Sequence, residues 1–310
     1  MTTLLEAVQQ AQGELGLTQS TSVASSQDPT TIQWYNLVNR EGDNMQKSND
    51  WTNLQTLCNI TVEEPVITTG DTTQGSAVIT NIPSTAGLTA SNWVASGNYL
   101  LAYSRIVSVD TPTQVTVDMP ATETIVGGEL TFSRDMYDFP TDFQRWINGT
   151  FWDRTNRWQL IGPDTPQQGQ FNESGIVATT PRRHFQQIGP RPSAIRFWPP
   201  PGATEELFTT SFMYISANWA ANSAGVGISK MTADDDVFLV DPQAIILAIK
   251  WRWLQAKQLS YAAQQAEAID YVRQLSARDG GAKILNLSPI FSPFLIGSYN
   301  VQDGNYPAGN

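Results

Sequence analysis

The chain has 310 residues, 40% of them hydrophobic, with one cysteine, one histidine and a formal net charge of -11. Length and apolar content suffice for one large domain or two modest ones. No segment gathers the Lys and Arg that displace counterions from phosphates, which argues against stable nucleic-acid binding, and the lone Cys58 excludes an intrachain disulfide.

An acidic surface serves solubility, and it also suits a wall that DNA slides past; charge alone does not choose. No run approaches the roughly 20 apolar residues of a membrane span. The opening Met1–Glu6 lacks a charged and then apolar leader. We therefore expect no membrane association and no export by a leader, which leaves the N-x-[ST] triplets at Asn59, Asn148 and Asn172 without weight.

The first predicted element is a helix over 4–15. Thr3 and Glu6 form a capping box, Leu4, Val8, Ala11 and Leu15 fall on one stripe, and Gly16 stands where a C-terminal cap belongs. Asp28-Pro29 caps a second helix reaching about Lys47. One face of it carries Trp34, Val38 and Met45, the other Gln33, Asn36, Arg40, Asp43 and Lys47.

Between Val66 and Phe132 the composition turns threonine-rich, with Arg105 as its single basic residue and short β-runs divided by turn residues. Helical sequence flanks it on both sides, so 66–132 reads as an all-β module inserted into a host domain. In 133–233, "SAIRFW" and "LFTTSFMYIS" flank "PPPGATEE". They predict two strands joined by a turn in a small sheet, with Ile195, Phe197, Phe212 and Tyr214 on buried faces.

Asp241-Pro242 starts a helix through "AIILAIKWRWLQAK", and another from about Tyr261 to Ala277 stops before Gly280-Gly281. The first is apolar nearly all round, broken only by Lys250, Lys257 and Arg252. Such a helix is either central in its own subunit or covered by a neighbour. From Ala282 on, apolar residues and prolines alternate without helical period, which predicts an extended arm needing a docking surface.

Enzyme templates find little support. A triad would have to rest on His184, no G-x-S-x-G or G-x-x-x-x-G-K-[ST] occurs, and the usual His/Cys zinc sets are missing. We expect no catalytic residue, no cofactor and no metal site. "TADDD" at 232–236 reads as a helix-dipole cap before a cation site. The strongest ligand-site case is the Trp/Asp-rich 138–158 segment. There Asp138, Asp142 and Asp153 can flank a sugar beside Trp146, Trp152 and Trp158. The bland alternative has the tryptophans in the core or at subunit interfaces, and Arg154 and Arg157 bracing a loop by stacking on Trp152 and Trp158.

The order of features resembles the head-to-tail adaptor (connector) proteins of short-tailed bacteriophages. The pieces that carry the resemblance are "LLEAVQQAQGELGL", "LVNREGDNM", "YDFPTDFQRWINGTFWDRTNRWQLIGP", "FTTSFMYISANW" and "DPQAIILAIKWRWLQAKQLSYAAQQAEAIDYVRQLSARDGG". They cover most of the chain outside 66–132, which itself is similar to a β-module of phage tail and virion proteins.

The resemblance implies an α+β fold with three parts. Residues 1–65 and 133–281 form a discontinuous domain, a helical bundle of N- and C-terminal helices with a small antiparallel sheet; 66–132 is an inserted all-β domain; 282–310 is an extended C-terminal arm. It implies a non-enzymatic virion structural protein, made in the host cytoplasm and placed in the neck of the particle. The subunits would form a homo-oligomeric, dodecameric ring between the portal protein and the tail nozzle or hub, around a channel through which DNA passes without specific binding. The expected interface residues are Trp251, Trp253, Phe291, Phe294, Leu295 and Tyr299. The competing reading is a carbohydrate-binding or cell-wall-acting tail protein using the 138–158 segment.

Overall fold

The computed structural model describes residues 1–101, 103–174, 183–189, 194–202 and 207–280. The fold is α+β, with N- and C-terminal helices packed together and several antiparallel sheets. The chain divides into two compact units. One holds Met1–Leu57, Asp142–Ile147 and the described residues from Met213 on; the other holds Cys58–Thr141 and the described residues of 148–212.

In the helical unit, α1 spans Leu4–Glu14 and α2 spans Pro29–Ser48. Thr3 N–H donates to Glu6 Oε2 at 2.9 Å and Glu6 N–H to Thr3 Oγ1 at 3.2 Å, the reciprocal capping box. At the other end of α1, Leu17 N–H donates to the Gln12 carbonyl and Gly16 N–H to that of Gly13. This termination needs a left-handed residue, and Gly16 supplies it at φ 70°. Asp28 caps α2 through Thr31 N–H at 2.8 Å, and that bond, followed by the Thr31 hydroxyl, holds the Asp28 carboxyl below its ordinary range.

After α3, Pro166–Ser174 in the other unit, come α4, Pro242–Ala256, and α5, Ala262–Arg278. The central position wins for α4. It packs against α1, α2 and α5, and Ile245, Ile246, Ile249 and Trp253 sit in the main core with Leu4, Val8 and Trp34. Each large side chain buried this way contributes about 1.5–3 kcal/mol. Trp253 stacks on Trp34 with centroids 5.5 Å apart. The charges of α4 pair within the unit, Lys250 with Glu14 and Arg252 with Glu41, whose carboxylate is buried. Short strands complete the unit: Ala220–Ala221 pairs with Gly227–Ile228 and Val237–Phe238, and Phe143–Trp146 pairs with residues 214–216.

In the second unit, six antiparallel strands run in the order Val66–Thr72, Ile125–Arg134, Trp93–Ser96, Ser104–Thr111, Gln114–Val117 and Val78–Ile79. An Asp71–Thr80 bridge ties the two edge strands and nearly closes the sheet into a barrel around Ile79, Ile106, Leu130 and Phe132. A buried ion cluster ties this module to later residues of the same unit. Asp135 takes a two-pronged hydrogen bond from Arg105, at 3.0 and 2.6 Å, and a third from Arg196 Nε at 2.8 Å. Burial pulls the Arg196 guanidinium below its ordinary pKa, against the pull of Asp135.

The expected pairing of "SAIRFW" with "LFTTSFMYIS" is corrected. Both stretches are strands, Ala194–Trp198 and Thr209–Ser216, and Ile195, Phe197, Phe212 and Tyr214 are buried. They lie in different sheets. Ala194–Trp198 has both edges taken, by His184–Ile188 on one side and Met136–Asp138 on the other, so no free edge remains for the later strand. Its proline run, Pro199–Pro201, also lacks the N–H donors that a ladder needs.

Candidate functional site

The residues of the Trp/Asp-rich segment are divided between the two units. Asp142 and Trp146 belong to the helical unit, whereas Asp138, Trp152, Asp153 and Trp158 belong to the sheet-rich one. Asp142 accepts hydrogen bonds from the Tyr214 hydroxyl at 2.9 Å and the Ser216 hydroxyl at 2.7 Å. Asp138 is exposed at the end of its strand.

Trp152–Asp153 and Trp158–Gln159 form a hairpin in which Trp152 stands opposite Gln159 and Asp153 opposite Trp158. Side chains of directly opposed residues share a face and successive ones alternate, so Trp152 and Trp158 leave the hairpin on opposite sides. Asp153 is 0% exposed. It accepts from Thr155 N–H and Asn156 N–H, both at 2.9 Å, and from the Asn156 amide at 2.8 Å. That is an Asx-type turn, and it braces the loop in place of the expected arginine stacking; Arg154 and Arg157 are exposed. Phe151 packs between Phe185 and Phe212, with centroids 4.0 and 4.4 Å away.

His184 Nδ1 lies 3.0 and 3.1 Å from the two Asp164 oxygens, and the Asn172 amide donates to Asp164 Oδ2 at 2.9 Å. The adjoining cavity, between Asp164, Phe185, Arg196 and Trp198, measures about 10 Å³. One water fills such a space, and a substrate does not. In "TADDD", Asp234 accepts from the Ser22 hydroxyl at 2.6 Å and from Val23 and Ala24 N–H at 2.9 and 2.7 Å. Asp236 accepts from Thr232 and Ala233 N–H. Both carboxylates fasten loops. Among the described residues, no three His, Cys, Asp or Glu side chains group where they can hold a metal ion, and no helix is long and apolar enough to cross a membrane.

An open groove beside a sequence-predicted residue lies in the helical unit. Met45 of α2, Ala248 and Trp251 of α4, and Ala268, Ile269 and Val272 of α5 line a groove of about 240 Å³. Two of its polar neighbours are already committed. The Glu41 carboxylate takes hydrogen bonds from Arg40, Asn44 and Arg252, and the Ser48 hydroxyl donates to the Met45 carbonyl. The rest of the lining is mostly hydrocarbon, with the Trp251 indole and the Asn44 amide.

No protein-family model and no curated protein matches the chain.

Of the six expected interface residues, Trp251 borders this groove at 8% exposure, beneath the Arg252 guanidinium at 3.8 Å from its ring centroid. Trp253 is spent on the core stack with Trp34. Phe291, Phe294, Leu295 and Tyr299 lie outside the described residues. Sequence reasoning named Trp251 for its place on an all-apolar helix, but α5 as the third wall left no trace in that argument. The signal available was the set Ala268, Ile269 and Val272, apolar residues within one turn on α5.

Proposed function

We propose that the chain is a structural head-to-tail adaptor of a short-tailed bacteriophage, one subunit of a twelve-membered ring. In this reading the ring sits between the portal protein and the tail nozzle and encloses the DNA channel. The observation that carries it is the bundle itself: helices from both ends of the chain pack around α4, and among the described residues an apolar groove beside Trp251 is left uncovered. Surplus apolar surface of this kind suits a part completed by its neighbours. The carboxylates Asp142, Asp153 and Asp234 all hold the chain's own hydrogen bonds, which favours a scaffold over a reactive centre. The net charge of -11 suits a wall that repels passing DNA.

Carbohydrate binding draws less support, because a sugar platform needs Trp152 and Trp158 on one face and the hairpin register gives them two. The test is size-exclusion chromatography of the full chain with and without the portal protein of the same virus. Co-elution with portal rings supports the adaptor; a monomer that ignores them contradicts it.

A further inference from the structure

We propose that Asn148 is a site of spontaneous deamidation, a covalent modification in which the chain's own backbone turns the amide into a carboxylate. The inference goes beyond the adaptor reading and stands without it, because it rests on one exposed turn and its neighbours.

Asn148-Gly149 is the one Asn-Gly pair in the chain. Both residues are exposed, in a turn that follows the strand Phe143–Trp146 and precedes Trp152–Asp153. Gly149 takes φ 77°, in the left-handed region. Apart from its chain neighbours, a Cβ placed on it meets nothing closer than Gln159 Nε2 at 3.8 Å, so the backbone there is uncrowded. The Gln159 amide donates to the Gly149 carbonyl at 3.1 Å. That bond engages the carbonyl and not the nitrogen that the reaction uses.

The chemistry is intramolecular. The Gly149 nitrogen, once deprotonated, attacks Asn148 Cγ. The N–Cγ bond forms, the Cγ–Nδ2 bond breaks, and the side-chain nitrogen leaves as ammonia, taking up the proton that Gly149 gave up. Water then opens the five-membered imide. Addition at Cγ leaves an aspartate at 148, and addition at the main-chain carbonyl leaves an isoaspartate, with the backbone routed through the side chain. Nucleophile and electrophile in adjacent residues make ring closure effectively unimolecular, and glycine brings no Cβ to crowd the ring. Either product adds one negative charge at neutral pH. Asn222-Ser223 also opens a turn, and there the reaction is hindered twice. The serine Cβ stands beside the attacking nitrogen, and Asn222 Oδ1 accepts from Ala224 N–H at 3.0 Å and Val226 N–H at 2.9 Å, which pins the carboxamide.

The test incubates the full chain in neutral to mildly basic buffers, native and urea-unfolded side by side, and follows it by anion exchange and peptide mass. The expected result is a more acidic form whose change maps to the Asn148 peptide, with aspartate and isoaspartate both present. Its rate should rise about tenfold per pH unit, as the deprotonated fraction of a backbone amide does. Asn148→Gln, which needs a larger ring, and Gly149→Ala should each slow the conversion about tenfold or more. Asn148→Gln keeps the glycine and with it the turn, and Asn148→Asp marks where the acidic form elutes. An Asn148 that stays amidated in the native chain while the unfolded chain converts, conversion spread evenly over the asparagines, or a rate indifferent to both variants would each overturn the proposal. No portal protein enters these measurements, so this inference and the adaptor reading fail separately.

Discussion

Replacing Gly42 with alanine sets helix propensity against core packing, and the structure decides the sign. Gly42 lies inside α2, where alanine is intrinsically favoured by about 1 kcal/mol. A Cβ built there falls 2.5 Å from Cη2 and Cζ3 of Trp219, roughly 1 Å inside ordinary contact. The indole has nowhere to go. Trp219 is 1% exposed, its Nε1–H is bonded to the Ser229 carbonyl at 2.8 Å, and its ring lies against Phe238. Overpacking of this kind costs about 1–3 kcal/mol after relaxation, and contacts this short put Gly42→Ala at the upper end. A net loss of about 1–2 kcal/mol should lower the Tm by roughly 2–8 °C. Gly13→Ala in α1 is the internal control. Its Cβ meets only the amide end of the exposed Gln19 side chain, at 3.1 Å, which need give by only a few tenths of an ångström and lose at most its long bond to the Gln9 carbonyl, so the same substitution should be close to neutral there. Thermal unfolding followed by circular dichroism and urea titration provides the readout, with Trp219→Phe expected to restore part of the loss. A Gly42→Ala protein as stable as the parent would refute the reasoning, since propensity would then outweigh a contact with no room to relax.

Three further outcomes rest on the same structure. Asp135→Ala strands the guanidinium groups of Arg105 and Arg196, and the loss of a buried partner should cost about 3–5 kcal/mol in urea denaturation; a change near zero would mean that the cluster is solvated. The Lys250 hydrogen bond holds the Glu14 carboxyl below its ordinary 4.5. A carboxyl lowered by folding contributes stability that is complete above that ordinary value and fades as pH falls through the folded one. The urea midpoint should therefore drop on acidification below about pH 4.5, and Glu14→Gln should flatten that drop; parallel curves would count against the Glu14–Lys250 pair. Asp153→Ala should cost about 1–3 kcal/mol by freeing two turn N–H groups, and the assay is the same titration. Substituting this residue without loss of stability, but with loss of binding on a glycan array, would revive the carbohydrate reading.

Local signals carried the helices. Thr3–Glu6, Asp28-Pro29 and Asp241-Pro242 are capping chemistry written in adjacent residues, and the observed starts at Leu4, Pro29 and Pro242 lie directly after them. α3 has the same kind of signal, a reciprocal Thr165–Gln168 pair. Its "PQQGQFNES" shows no apolar stripe, so periodicity passed over it. The sheets were half legible. Alternation marked Ala194–Trp198 and Thr209–Ser216 as strands with buried faces, yet choice of partner depends on which edges distant segments have already filled. For the 138–158 segment, composition suggested convergence. Hairpin register instead set Trp152 and Trp158 on opposite faces, and Asp153 and Asp142 went to a turn and to hydroxyls. The Gly42–Trp219 contact spans the sequence in the same way, and nothing in "REGDNM" announces it.

The central claim is that this chain is a joint completed by its neighbours, and electron microscopy of the full chain mixed with portal rings of the same virus tests it most directly. The account predicts class averages with a second ring stacked coaxially on the portal, showing twelve subunits end-on around an open channel. Bare portal rings beside dispersed single subunits, at concentrations where the mixture is otherwise stable, would contradict it.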